Sequence, residues 1–106
     1  VVAVNYLYRG LAGLGSVYDD VEVGLGSPGR IRILRIMLRR PGECFTKYAL
    51  ERLTGLKPVD VRRDLRVLVG LGWVRENPYN PRTYEANMDN EVVRLIADFF
   101  RRLPGA

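Results

Sequence analysis

The chain has 106 residues, 47% hydrophobic and 27% charged, which suits one domain with one modest core and excludes disordered and fibrous classes. No apolar run is long enough to span a bilayer; the opening VVAVNYLYRGLAGLG is broken by Asn5 and Arg9 with no basic segment before it, so no secretory leader is expected. Net charge is +5 and uneven: Arg9 against Asp19, Asp20 and Glu22 leaves residues 1–27 at −2, so the remainder carries +7 and suits an anionic partner.

All but two of the 17 basic residues are Arg, and the chain has no His and no Gln. Scarcity of heat-labile residues is a thermophile-like trait, although GC-rich coding also favours Arg. The single cysteine, Cys44, cannot form an intrachain disulfide, which points to a reducing cytoplasm.

Residues 1–26 form an N-terminal extension of undetermined form. VVAVNYLY and VYDDVEV are rich in β-branched and aromatic residues, so two strands around the Gly-rich RGLAGLGS are expected; the first reads equally as a short helix. SPGRIRILRIMLRR then opens with a capping Ser27 and Pro28 and stops at Pro41-Gly42. Its Ile31, Ile33, Leu34, Met37 and Leu38 share one face, opposite a stripe of Arg32, Arg35 and Arg39 that reads as solvated.

ECF (residues 43–45) is a short predicted strand, and Cys44 in it reads as a small half-buried residue. Thr46 caps KYALERLT, which places Ala49, Leu50 and Leu53 on one face and ends at Gly55. Lys57-Pro58 opens the next helix, predicted over about 58–71. There Val61, Leu65, Leu68 and Leu71 fall within about 120° of arc at about 100° per residue. Val59, Arg62, Arg63, Arg66 and Gly70 take the opposite arc. Two short helices thus meet at a tight TGLKP turn.

WVREN and TYEANM read as two strands joined by PYNPR, with Val74, Tyr84, Ala86 and Met88 inward. NEVVRLIADFFRRL follows as a helix capped by Asp89 or Asn90. Its Val92, Val93, Leu95, Ile96, Phe99, Phe100 and Leu103 span about 160° of the wheel, wider than one small domain needs. Dimerisation through Val92, Leu95, Ile96, Phe99, Phe100 and Leu103 is expected, unless Val1, Val4, Tyr6 and Leu7 cover the same surface.

Over residues 27–90 the order of elements resembles a winged helix-turn-helix domain. SPGRIRILRIML is similar to the first helix of arsenic-repressor-like (ArsR) and MarR-like regulators. FTKYALERLTGLKPVDVRRDLRVLVGLGWV resembles their paired helices, and RTYEANMD their returning wing strand. The resemblance implies a mainly α fold with a small β-hairpin wing, in the order helix, strand, helix, helix, strand, strand, helix. The domain proper would span 27–90, with a dimerising C-terminal helix over 91–106.

It further implies a homodimeric transcriptional regulator bound to double-stranded DNA, with residues 58–71 in the major groove and the wing, 73–88, on the backbone or minor groove. Arg62, Arg63 and Arg66 would then meet guanine edges or phosphate, Val59 would lie on the same face, and Lys47 and Lys57 would grip phosphates. Arg82, beside Tyr79, is either a plain loop tip or a minor-groove probe.

Two features depart from the family pattern. Glu51 stands where a small Ala is usual, which predicts a different helix spacing. Asp60 and Asp64 lie in the basic helix, where a phosphate-binding surface avoids acids, so a less intimate groove fit is expected.

Enzymatic activity is not expected. The chain has no His, GLAGLGS lacks the Lys of a phosphate loop, and adjacent Asp19 and Asp20 would diverge in a strand. One Cys and no His also argue against metal sensing, so no metal or cofactor is expected. The rival reading is a winged-helix protein-interaction module within a larger complex, docking through its last helix. A third, a ligand-responsive repressor, needs an effector pocket that the sequence does not display.

Overall fold

The computed structural model describes residues 17–105. The strand or short helix expected over VVAVNYLY, and the proposed cover of the last helix by Val1, Val4, Tyr6 and Leu7, lie outside the described residues. Among the described residues the chain is mainly helical with one small antiparallel hairpin: α1 (Val17–Gly24), α2 (Pro28–Arg39), α3 (Lys47–Thr54), α4 (Pro58–Gly70), β1 (Val74–Asn77), β2 (Thr83–Ala86) and α5 (Glu91–Arg102). No helix among these residues is long and apolar enough to cross a membrane.

VYDDVEV is helical, which corrects the strand expected there. Val17, Val21 and Gly24 recur at i, i+4 and i+7, and Asp19 and Asp20 fall in the first turn, where carboxylates complement the helix dipole. Val21 and Val23 pack on the core, and Gly24 lies against the Trp73 indole. A Cβ at residue 24 would stand 2.1 Å from Trp73 Cζ3, so glycine is required for this approach.

Side-chain caps set the starts of three other helices. Ser27 Oγ accepts from Arg30 N at 3.2 Å, Thr46 Oγ1 from Ala49 N at 3.1 Å, and Asn90 Oδ1 from Val92 N at 2.9 Å. Asn90 is therefore the cap of α5, and Asp89 instead pairs with Arg75. Gly55, at φ 77°, ends α3 in the left-handed region and aims the chain into the turn before α4.

The core gathers Ile33, Leu34 and Met37 of α2, Leu50 of α3, and Val61, Leu65 and Leu68 of α4 around Trp73 and Val93. Leu53, expected inward, is exposed; in the eight-residue α3 only Leu50 is buried. The hairpin pairs Val74 with Ala86 and Asn77 with Thr83, burying Val74, Tyr84 and Ala86 and half-burying Met88.

ECF does not form a strand of its own. Phe45 makes a single antiparallel bridge to Tyr84, with both backbone hydrogen bonds at 2.8 Å. In that extended backbone Phe45 points inward, so its neighbour Cys44 points outward and is exposed, not half-buried as expected.

Candidate nucleic-acid interface

The outward arc of α4 is basic because the wheel that buries Val61, Leu65 and Leu68 turns Arg62, Arg63 and Arg66 to solvent. The Phe45–Tyr84 bridge holds the hairpin beside the start of α3, which brings the loop residue Arg82 towards Lys47. Lys47, Arg62, Arg66 and Arg82, from three separate segments, line one hollow of about 360 Å³ together with Glu76 and Tyr84. Lys47 Nζ stands 6.0 Å from the Tyr84 ring centroid, within cation–π range. Arg82 Nε meets Glu76 Oε2 at 3.0 Å, so the hollow carries one carboxylate that offsets part of its positive charge.

Lys57, Val59 and Arg63 do not line this hollow. Lys57 and Val59 are exposed at the start of α4, where Lys57 precedes the helix without a side-chain cap. Arg63 is exposed but engaged: Nη1 meets Asp60 Oδ1 at 3.2 Å, and Nε meets Asp64 Oδ1 at 3.4 Å.

Asp64 overturns one expectation about this face. Its side chain is 0% exposed, so it does not oppose phosphate from the helix surface. Oδ1 accepts from Arg30 Nη1 at 3.0 Å, and Arg30 Nε donates to the Val23 carbonyl at 2.9 Å. One half-buried guanidinium thereby joins α1, α2 and α4. Gly29 leaves room for the carboxylate: a Cβ there would lie 2.4 Å from Asp64 Oδ2. Asp64 thus faces the first turn of α2, where the helix dipole favours negative charge.

The sequence held part of this signal. On the α4 wheel Asp64 falls between Leu68 and Leu71, inside the apolar arc, at about 100° per residue. An acid in that arc needs a buried cation. Arg30 as that cation, 34 positions away, had no local signature.

The apolar arc of α5 divides in two. Val93, Ile96 and Ala97 pack inward, with Val92 and Phe100 half-buried at the edge. Leu95, Phe99 and Leu103 are 61%, 57% and 43% exposed and form an i, i+4, i+8 stripe. Ile96, expected at a dimer interface, is instead part of the domain's own core. The arginine stripe of α2 is exposed as expected, and Arg35 and Arg39 border a groove of about 700 Å³ between α2 and α5.

No protein-family model matches this chain, and no similar protein is found among curated ones. The geometry of the basic hollow, the buried Asp64 and the apolar stripe therefore carries the functional reading.

Proposed function

We propose that the chain is a winged helix-turn-helix protein that binds double-stranded DNA as a homodimer and regulates transcription. The observation that carries the reading is the convergence of Lys47, Arg62, Arg66 and Arg82 on one concave surface beside the exposed start of α4. Three further features support it: the order of α2, α3, α4, hairpin and α5, the tight turn at Gly55, and the burial of Asp64 away from the basic face.

In this reading α4 enters the major groove. Arg62 and Arg66 meet base edges or phosphate, Val59 lies on the same face, Lys47 and Lys57 bind phosphates, and Arg82 reaches the backbone or minor groove. Two copies would present their α4 helices to successive major grooves about 34 Å apart.

The test is duplex binding across a salt series. Arg62→Ala and Arg66→Ala should each weaken binding and lower the salt slope by about one unit per lost phosphate contact. Unchanged affinity and slope in both variants would remove α4 from the interface.

The Leu95–Phe99–Leu103 stripe also favours a second reading, a winged-helix module that docks on a different protein. That reading predicts a monomer in isolation with weak, strongly salt-sensitive DNA association.

A further inference from the structure

Two tyrosines stand out from the surface near the basic hollow. Tyr48, in the first turn of α3, is 64% exposed, and Tyr79, in the hairpin loop, is 81% exposed. Both border a second hollow of about 430 Å³, together with Lys47, Asn80, Arg82 and the edge of Tyr84. That volume falls in the range of roughly 300–1,000 Å³ usual for clefts that hold small molecules. The Arg52 guanidinium lies 5.7 Å from the Tyr48 ring centroid, and its Nη1 donates to the Tyr48 hydroxyl at 3.2 Å. This pair orients the ring at the rim.

The chemistry of the lining selects an occupant. Among the described residues no Asp or Glu borders this hollow. Lys47 and Arg82, the latter paired with Glu76 outside the lining, supply positive charge, and the Asn80 amide offers both a donor and an acceptor. Lys47, Arg82 and Tyr84 also line the first hollow, so the aromatic surface continues the basic one. The two hollows are thus contiguous through these three side chains.

We infer that the Tyr48–Tyr79 hollow binds an unpaired nucleotide, so that the protein prefers duplex DNA continued by a single-stranded tail. Every base has a π-face that an exposed tyrosine can stack on, and its phosphate meets the flanking cations. A base inside a duplex has both faces covered by its neighbours, so only an unpaired one can fill this role. The inference rests on the proposed nucleic-acid interface and names a further element of its ligand.

The experiment compares three labelled probes by fluorescence anisotropy at one salt concentration: a blunt duplex, the same duplex with a short oligothymidine tail on either strand, and the oligothymidine alone. The tailed duplex should bind at least about fivefold more tightly than the blunt one. Tyr48→Ala should remove that advantage and leave blunt-duplex affinity unchanged; Tyr79→Ala, in the wing, should remove it with a smaller loss on the blunt duplex, whereas Tyr79→Phe should keep it. Both positions are exposed, and thermal unfolding of each variant verifies that the fold is retained.

Blunt and tailed duplexes bound equally would overturn the inference and leave duplex binding intact. A tyrosine variant that weakens both probes alike would also overturn it, since the ring would then be an ordinary duplex contact. Binding of the oligothymidine without the blunt duplex would sink the duplex reading and sustain the aromatic site. Binding of none of the probes would overturn both.

Discussion

Asp64 shows how a single residue changes the reading of a whole helix face. Taken as an outward acid, it weakens the case for an anion-binding α4; buried against Arg30 and the first turn of α2, it anchors that helix instead. Removing Asp64 leaves the Arg30 guanidinium without its carboxylate, whereas removing Arg30 leaves buried Asp64 with the Arg63 contact at 3.4 Å. Asp64→Ala should therefore cost about 3–5 kcal/mol in urea unfolding, and Arg30→Ala less than that. Replacing both, as in Arg30→Met with Asp64→Leu, should cost well under the sum; strict additivity would show that the pair is not coupled.

Asp60 is the acid that does remain on the surface, where it holds Arg63. Asp60→Asn should tighten duplex binding by about 0.5–1 kcal/mol, since Arg63 then keeps its Nε contact with Asp64 but loses its surface carboxylate, and a like charge is removed from the phosphates' path. It should also lower thermal stability slightly, because Asp60 sits in the first turn of α4. Weaker binding in this variant would mean that Arg63 faces away from the DNA.

At the scale of elements, legibility followed the caps. Ser27-Pro28, Thr46, Gly55, Lys57-Pro58 and Asn90 each mark a chain reversal or helix start by local chemistry, and α2 to α5 lie close to where those signals put them. Signals that depend on distant partners were lost. Val17–Gly24 has enough β-branched and aromatic content to read as a strand; its first-turn acids favour a helix, and its packing beside Trp73 and α4 adds to that preference. The ECF segment pairs at one residue because Tyr84 offers it a single bridge.

The same contact gives a test of α1. Gly24→Ala forces a methyl group into the Trp73 indole, and overpacking of this kind costs about 1–3 kcal/mol. The loss should be visible in urea unfolding followed by Trp73 fluorescence, which reports the chain's single tryptophan. Gly42→Ala should lower stability through backbone strain at φ 96° but leave the folded-state Trp73 emission unchanged, because nothing lies within 4 Å of a Cβ there. If Gly24→Ala were as stable as the parent protein, α1 would not pack on the indole as described.

For the molecule as a whole, the open question is what covers α5. Its apolar arc is about 160° wide, yet among the described residues the core buries Val93, Ile96 and Ala97 and half-buries Val92 and Phe100. The remaining stripe comprises Leu95 and Phe99, one turn apart in α5, and Leu103 just past its end, an exposed apolar surface on which a second helix can pack. If a second copy covers it, light scattering should report a dimer. Leu95→Glu or Phe99→Glu should then give a folded monomer, since both residues are largely exposed within one subunit. Val93→Glu, in contrast, should unfold the chain, because it buries an unpaired charge. The two defects are separable by circular dichroism. DNA affinity distinguishes the readings further. A dimer engages two half-sites through one helix pair, so the monomeric variants should lose about 10²- to 10⁴-fold in avidity while each copy keeps its basic hollow. If the parent protein is itself a monomer, and Phe99→Glu leaves its weak DNA binding unchanged, the dimer reading falls, and the stripe is left to a different protein partner or to the cover by Val1, Val4, Tyr6 and Leu7.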